Sequence, residues 1–405
     1  MRRLLVFAGL LAIAGVTASR AQLLPAVPSL PVGIPGLPRT DALAGDLSRG
    51  PAAVARTLED TRRATITRLV RDNPDRIALD PDGFPARAGE VVVDSPEEAV
   101  IAAATARGYS VIERDDVLGI GFARLRVPAG RSLKSAIVEI RKLGGNVSAD
   151  QIHLPSGRLS GSPAKPVEGN GNWVGVIDGA VSGAASSAGF AMGAPRANDH
   201  GTAVASLIAG SGWVKGALPG ARIASADVYG DDPAGGNATA IAKALGWMVQ
   251  QHVPVVTISL VGPANSILGR VVAAAQARGL IVVAAVGNNG PASPLAYPAS
   301  YPGVIAVTGV DGKDRVLIEA GRTSHLDYAA PGADMLAAGI GGRTFEVRGT
   351  SFAAPLVAGV IASVYPAPSP AAIRAALMQV DARARRASRQ YGRGLVCGDC
   401  RTPAK

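Results

Sequence analysis

Gly349-Thr350-Ser351-Phe352-Ala353-Ala354-Pro355 carries a serine, on a turn of small residues, onto the first turn of an apolar helix. A serine hydroxyl is a poor nucleophile at neutral pH. It needs a base within hydrogen-bond reach and donors for the negative charge it would create on a carbonyl oxygen. Candidates for both stand upstream. His200-Gly201-Thr202 opens a second apolar helix, Val174-Gly175-Val176-Ile177-Asp178 is an apolar strand ending in a carboxylate, and Ala284-Ala285-Val286-Gly287-Asn288 is another, ending in an amide. Each has an ordinary reading: Thr350 and Ser351 as helix caps, Asp178-Gly179 and Asn288-Asn289-Gly290-Pro291 as turns. Those readings do not explain why four such segments stand in one order, each at the boundary of a strand or helix.

The elements that must position them alternate. Strands are expected near 174–177, 222–228, 254–259, 281–286 and 304–310, with helices near 201–210, 237–250, 264–278 and 351–364 and a last helix from Ser369-Pro370 to about Val380. Several strands are unbroken apolar runs, as in sheets covered by helices on both faces. The pattern predicts an α/β fold with a doubly wound, mostly parallel sheet. Asp178 and Asn288 then lie just past strand C-termini, where such sheets bind ligands.

With the residues in place, the chain resembles the subtilisin-like serine proteases (subtilases) through Ile177-Asp178, His200-Gly201-Thr202, Ala284 to Asn288 and Gly349 to Pro355, in the chain order Asp, His, Ser. The resemblance implies a serine endopeptidase acting on peptide or protein substrates. Ser351 is the nucleophile, His200 the general base and acid, and Asp178 the group that orients His200. The Asn288 amide and the Ser351 backbone N–H receive the oxyanion. It also implies that Ser259-Leu260-Val261-Gly262 pairs its backbone with the substrate and that Ala284, Ala285, Val286 and Gly287 wall the pocket for the residue before the scissile bond. Two features depart from the family pattern: Asp178 is followed by Gly179-Ala180 rather than by a small hydroxyl residue and glycine, and the interval from Asp178 to His200 is only 22 residues. A catalytically silent, peptide-binding relative is the alternative. An esterase would need a Gly-x-Ser-x-Gly elbow, and the residue after Phe352 is Ala353. The sequence makes no cofactor certain and leaves structural calcium open. Structural calcium is common in the family through irregular loops, but no Asp-x-Asp-x-Asp-Gly loop occurs, and Asp231-Asp232 and Asp311 to Asp314 read as turns.

The N-terminal part has its own organisation. Arg2-Arg3, the apolar run Leu4 to Val16 and Ser19-Arg20-Ala21 read as a secretory signal over residues 1–21, too short to span a bilayer. Export, to the periplasm or outside, follows, with no transmembrane segment in the mature chain. Pro25, Pro28, Pro31, Pro35 and Pro38 make 22–50 a spacer. Residues 51–72 read as a basic helix whose thin apolar stripe predicts loose packing. Residues 89–155 read βαββαβ, a small α+β ferredoxin-like domain, with a capping box at Ser95-Pro96-Glu97-Glu98. Placed before a subtilisin-like domain (173–380), residues 51–155 resemble the family's propeptide, an intramolecular inhibitor, and 156–172, rich in Gly, Ser and Pro, is expected to be an exposed linker that is cut.

The formal net charge of +10 is concentrated at the ends: residues 366–405 hold eight Lys/Arg against two Asp/Glu, and Arg2, Arg3 and Arg20 lie in the signal. The remainder is nearly balanced, which argues against a nucleic-acid partner. The basic tail, 381–405, reads as a solvated helix face. Its Cys397 and Cys400 are read as a small-loop disulfide, since no second pair completes a zinc site.

Overall fold

A computed structural model describes residues 50–163 and 171–404. The signal and most of the spacer lie outside the described residues. Helix α1 (Pro51–Asp72) leads through a turn at Asn73 into a five-stranded antiparallel sheet made of β1 (Ile77–Leu79), β2 (Pro85–Asp94), β3 (Ser110–Val117), β4 (Ile120–Arg126) and β5 (Asn146–Gln151). β2 pairs with β1, β4 and β5, and β4 pairs with β3. Helices α2 (Glu98–Thr105) and α3 (Leu133–Lys142) cover one face of this sheet.

The strand period of two explains how this unit is held. Val91 and Val93 face α2 and α3 in one core, while Val92, with Val117 and Phe122, enters the core of the larger unit. The expected capping box does not form. Ser95 has φ 48° and donates to Asp94 instead, and α2 starts behind Glu97 without a side-chain cap.

β6 (Leu154–Pro155) and β7 (Arg158–Pro163) follow, then the larger unit. Its seven-stranded sheet has the order β15-β14-β13-β11-β8-β10-β9, every pair parallel. The strands are β8 (Trp173–Asp178), β9 (Ser186–Gly189), β10 (Arg222–Asp227), β11 (Val255–Ile258), β13 (Ile281–Ala285), β14 (Ile305–Val310) and β15 (Tyr328–Pro331). One face is covered by α4 (Asp199–Ala209), α7 (Ala354–Val364) and α8 (Ile373–Asp381), the other by α5 (Ala238–Gln250) and α6 (Ser266–Ala277). The short β12 (Leu260–Val261) and the hairpin of β16 (Met335–Ala338) and β17 (Arg343–Arg348) stand outside this sheet.

Three expectations are corrected. Residues 156–163 are not an exposed linker: Ser156 and Gly157 are buried and β7 pairs antiparallel with β17. A run of Gly, Ser and Pro that cannot build a helix can still add as an edge strand wherever a sheet offers unpaired backbone. Residues 164–170 lie outside the described residues. The tail is not a helix face either. Past α8 it folds back, Leu395 bridges Ala329 and Pro403 bridges Met335, with Leu395 and Val396 buried. Arg393 pairs with Asp381, and Arg401 donates to the Asp311 carbonyl. Cys397 and Cys400 are joined. Finally, α1 does not pack loosely, because Val54, Leu58 and Leu69 are buried. Among the described residues no helix is long and apolar enough to cross a membrane.

Candidate active site

β8 lies inside the sheet, so its C-terminal Asp178 is fully buried. The Gly179 N–H donates to Asp178 Oδ1 at 2.8 Å, and His200 Nδ1 lies 2.8 Å from Oδ2 and 3.0 Å from Oδ1. A carboxylate can only accept, so Nδ1 carries the proton and Nε2 presents its lone pair. His200 sits in the first turn of α4, which Asn198 caps by accepting from the Gly201 N–H at 2.7 Å. That cap also explains Gly179: a Cβ there would stand 1.6 Å from Asn198 Nδ2. The departure from the family pattern after Asp178 is thus a packing consequence of the Asn198 cap.

Ser351 lies on a single 3-10 turn, Thr350–Phe352, that feeds α7. Phe352 tilts its ring against that of His200, 5.5 Å between centroids, so the turn that carries Ser351 packs against α4. The hydroxyl is turned elsewhere. Ser351 Oγ donates to the Ser259 carbonyl at 3.1 Å and lies 2.7 Å from Ser156 Oγ, while His200 Nε2 is buried with no hydrogen-bond partner.

Asn288 follows β13. Its Oδ1 accepts from the Thr350 N–H at 3.0 Å, which orients the amide and leaves Nδ2 buried and unpartnered. Gly349, with φ 141°, is approached from two sides: a Cβ on it would lie 2.8 Å from Asn288 Nδ2, 2.8 Å from Gly157 Cα and 3.3 Å from the Ser156 carbonyl oxygen. The Ser156–Gly157 peptide and the free Asn288 amide therefore both approach Gly349, two residues before Ser351.

The chain itself runs through this site. β6 pairs antiparallel with β12, Leu154 opposite Val261 and Pro155 opposite Leu260, and the Ser156 N–H donates to the Ser259 carbonyl at 3.3 Å. Beyond Gly157, β7 continues along β17. Asp178 and Ser351 are 0% and His200 1% exposed, so no other peptide can reach them in this state.

Of the residues expected to bind substrate, Ser259, Leu260 and Val261 do line a strand, here occupied by β6, and Gly262 is bridged to Tyr297. Ser259 also donates from Oγ to the Ser351 carbonyl at 2.8 Å. Val286 faces a cavity of about 90 Å³ beside Ser156 and Gly157. Ala284 and Ala285 do not wall it: they belong to β13, fully buried on opposite faces of the central sheet, and the bare Cα of Gly287 lies against Val261. Ser156, Gly157 and the β17 edge were not foreseen. Their only signal is a helix-poor Leu-Pro-Ser-Gly run, which composition alone assigns to a loop.

His153, just before this strand, is fully buried, with neither ring nitrogen hydrogen-bonded. Burial lowers its pKa from 6.5 to about 4. The acidic pairs considered for calcium are taken by arginines: Asp231 by Arg196, Asp311 by Arg315, Asp314 by Arg386, and Asp232 by Arg76 and Arg87. Burial would push the Asp232 carboxyl up, but the two guanidinium groups outweigh it and hold it below its usual range. Among the described residues no group of three or more His, Cys, Asp or Glu side chains is gathered to hold a metal ion.

Comparison with known proteins gives the family. The sequence profile of the Subtilase family matches residues 182–394, which take in His200, Asn288 and Ser351 and begin just after Asp178. Subtilisin E from Bacillus subtilis (strain 168) is 34% identical over 209 residues, 49% of this chain and 54% of its own length. Subtilisin BL from Lederbergia lenta is 35% identical over 225 residues, 53% of this chain and 82% of its own. The chain spans about half the length of Subtilisin E and of several curated relatives like it. The crystal structure of fervidolysin from Fervidobacterium pennivorans, a keratinolytic enzyme related to subtilisin, superposes with a TM-score of 0.63 at 20% identity, over 80% of this chain and 62% of that one. The family profile covers just over half of the chain, and this protein belongs to the subtilase family.

Proposed function

We propose that the chain is an exported serine endopeptidase, made as a precursor, whose residues 51–156 inhibit it until the Ser156–Gly157 bond is cut. The carrying observation is the strand seated across the site, with the Ser156 N–H on the Ser259 carbonyl, its own carbonyl beside Gly349, and Ser351 Oγ against its side chain. The inhibitor of this reading is its own first substrate.

The chemistry follows from the groups in place. Rotation of the Ser351 side chain off Ser259 brings Oγ to the free Nε2 of His200, which takes the hydroxyl proton as Oγ bonds the Ser156 carbonyl carbon. Asp178 holds Nδ1–H and stabilises the imidazolium. The oxyanion is received by Asn288 Nδ2, already aimed by the Thr350 N–H, and by the Ser351 backbone N–H. His200 then returns the proton to the Gly157 nitrogen as the C–N bond breaks, and water releases the acyl group by the same route. Other peptides would bind as the 154–163 strand does, by backbone pairing with β12 and β17.

Intact mass of the purified chain over time, beside Ser351→Ala, tests this. Wild type should split between Ser156 and Gly157 and the variant should stay whole. If both stay whole and a fluorophosphonate leaves Ser351 unlabelled in chain opened by an added protease, the protein is a peptide-binding relative instead.

A further inference from the structure

The strand 154–157 plugs the site poorly on one side. Leu154 and Pro155 line the cavity next to it, Ser156 and Gly157 put no large side chain there, and α1 lines the facing side through Leu58, Thr61, Arg62, Thr65 and Ile66. The contact is specific. Leu58, 2% exposed, sits directly on Gly290, where any Cβ would meet its Cδ1 at 2.7 Å, and Val54 and Leu58 cluster with Ile318 of the larger unit. Leu69, one end of the helix further on, is anchored with Ile77 and Ile152 and with Ala234 across the interface.

On the polar face of α1, Arg62 and Arg63 pair with Glu59 and Arg71 with Asp72. Among the described residues, its Val54, Leu58 and Leu69 grip the larger unit through apolar contacts. Lifting it leaves the βαββαβ unit held by its own contacts: Val92, Val117 and Phe122 in the shared core, Asp94 on Arg270, and Asp150 on Thr239.

Resting on the endopeptidase reading, we infer that α1 is a second inhibitory element, a tethered helix that closes the pocket beside Ser156 and that must lift separately before an outside peptide can fill it. Cutting at Ser156–Gly157 then opens the strand position but not the pocket. Opening comes in two steps, and any amphipathic basic helix that presents a leucine to Gly290 would compete for the same surface.

The test uses the full chain carrying Ser351→Ala, with Leu58→Asp, with the milder Leu58→Ala, and with Arg63→Ala on the exposed face as control. Hydrogen exchange over 287–296 should speed up roughly 10- to 100-fold in Leu58→Asp, the range expected for losing one buried leucine. It should rise less in Leu58→Ala and stay unchanged in Arg63→Ala, while β5 remains protected in all. In the chain with Ser351 restored, Leu58→Asp should raise the rate of fluorophosphonate labelling by a similar factor after cleavage. Unchanged exchange over 287–296 in Leu58→Asp overturns the inference. So does exchange that rises there only together with β5, since the whole unit would then have come off. If exchange responds as stated but Ser351 is labelled in no variant, the helix closes the pocket and the endopeptidase reading is what fails.

Discussion

Acid should loosen the hold of the N-terminal unit on the larger one through His153, and the size of the effect can be worked out. His153 is wholly buried; its N–H donates to the Gly236 carbonyl and its own carbonyl accepts from Tyr229 at 2.6 Å, so it sits on the joint between the two units. Desolvation opposes its imidazolium, and the nearby carbonyls of Gln151, Pro263 and Gly236 offset only part of that. Above pH 6.5 the ring is neutral whether the unit is docked or free, and it contributes nothing to the pH dependence. Between 6.5 and about 4 the free chain takes a proton that the folded chain refuses, so stability falls as pH falls, and the loss is complete below the folded value. At about 1.4 kcal/mol per pH unit the full loss is about 3 kcal/mol, most of it spent by roughly pH 4.5. Asp150 works in the opposite sense, because burial raises its carboxyl pKa, so a single melt would mix the two. The assay is therefore a comparison. Denaturant unfolding of the Ser351→Ala chain at pH 7.5 and 4.5 is set beside the same chain with His153→Phe, which keeps an aromatic plane over Gly262. Asp150 and the other carboxylates cancel, and the variant should lose about 2–3 kcal/mol less on acidification. Equal losses in both chains, within about 0.5 kcal/mol, would refute the reasoning, because His153 would then not be the group refusing the proton.

The remaining predictions concern the site and the tail. Asn288→Ala should slow cutting at Ser156–Gly157 by about 10²–10³, a magnitude measured on the corresponding donor of a subtilisin; a rate within a few-fold of wild type by intact mass would remove Asn288 from the oxyanion site. The same variant also strands the Thr350 N–H, so its unfolding free energy should drop by about 1–3 kcal/mol. Gly349→Ala forces a Cβ against Gly157 and Asn288 at a positive φ, and should raise hydrogen exchange of 154–157 in the uncut chain while β5 stays protected. Reducing the Cys397–Cys400 bond frees a loop of only a few residues, so it should cost no more than about 2 kcal/mol, a shift of several degrees in melting temperature. A much larger shift would mean that the bond holds the Leu395-Val396 return against β15.

What was legible in the sequence was whatever a local pattern determines. Apolar runs such as Ile281-Val282-Val283-Ala284 report burial on both faces whichever neighbours they acquire, and β8, β10, β11, β13 and β14 each lie within a residue or two of expectation at both ends. The residues at strand ends followed, because Asp178 and Asn288 owe their positions to where a strand stops. Strands whose partners are distant were missed. Ser186–Gly189, which shows no apolar period of its own, is a strand only because β10 lies beside it, and Arg343–Arg348, though Phe345 and Val347 alternate with polar residues, is a short run that pairs with β16 and β7. The same limit hid the capping failure at Ser95, where Asp94 and Arg270 compete for the hydroxyl that the local motif assigns to the helix.

The linker error is the most instructive, since it bears on how the site works. Leu154-Pro155-Ser156-Gly157 has the composition of an exposed loop, and composition is blind to unpaired backbone elsewhere. β12 and β17 each offer an edge that has no other partner on that side, and an extended segment without side-chain demands satisfies both at once. A segment with strong side chains would have bound one pocket tightly and fixed the register there. This one is held by backbone pairing, by its tethers, by Leu154 and by the Ser156 hydroxyl on Ser351, and past Pro155 it leaves the neighbouring cavity to be lined by something else. The weakness of the strand and the presence of Leu58 on Gly290 are therefore two sides of one arrangement: a cleavable segment that must leave the site, and a separate helix that keeps the site shut while it does.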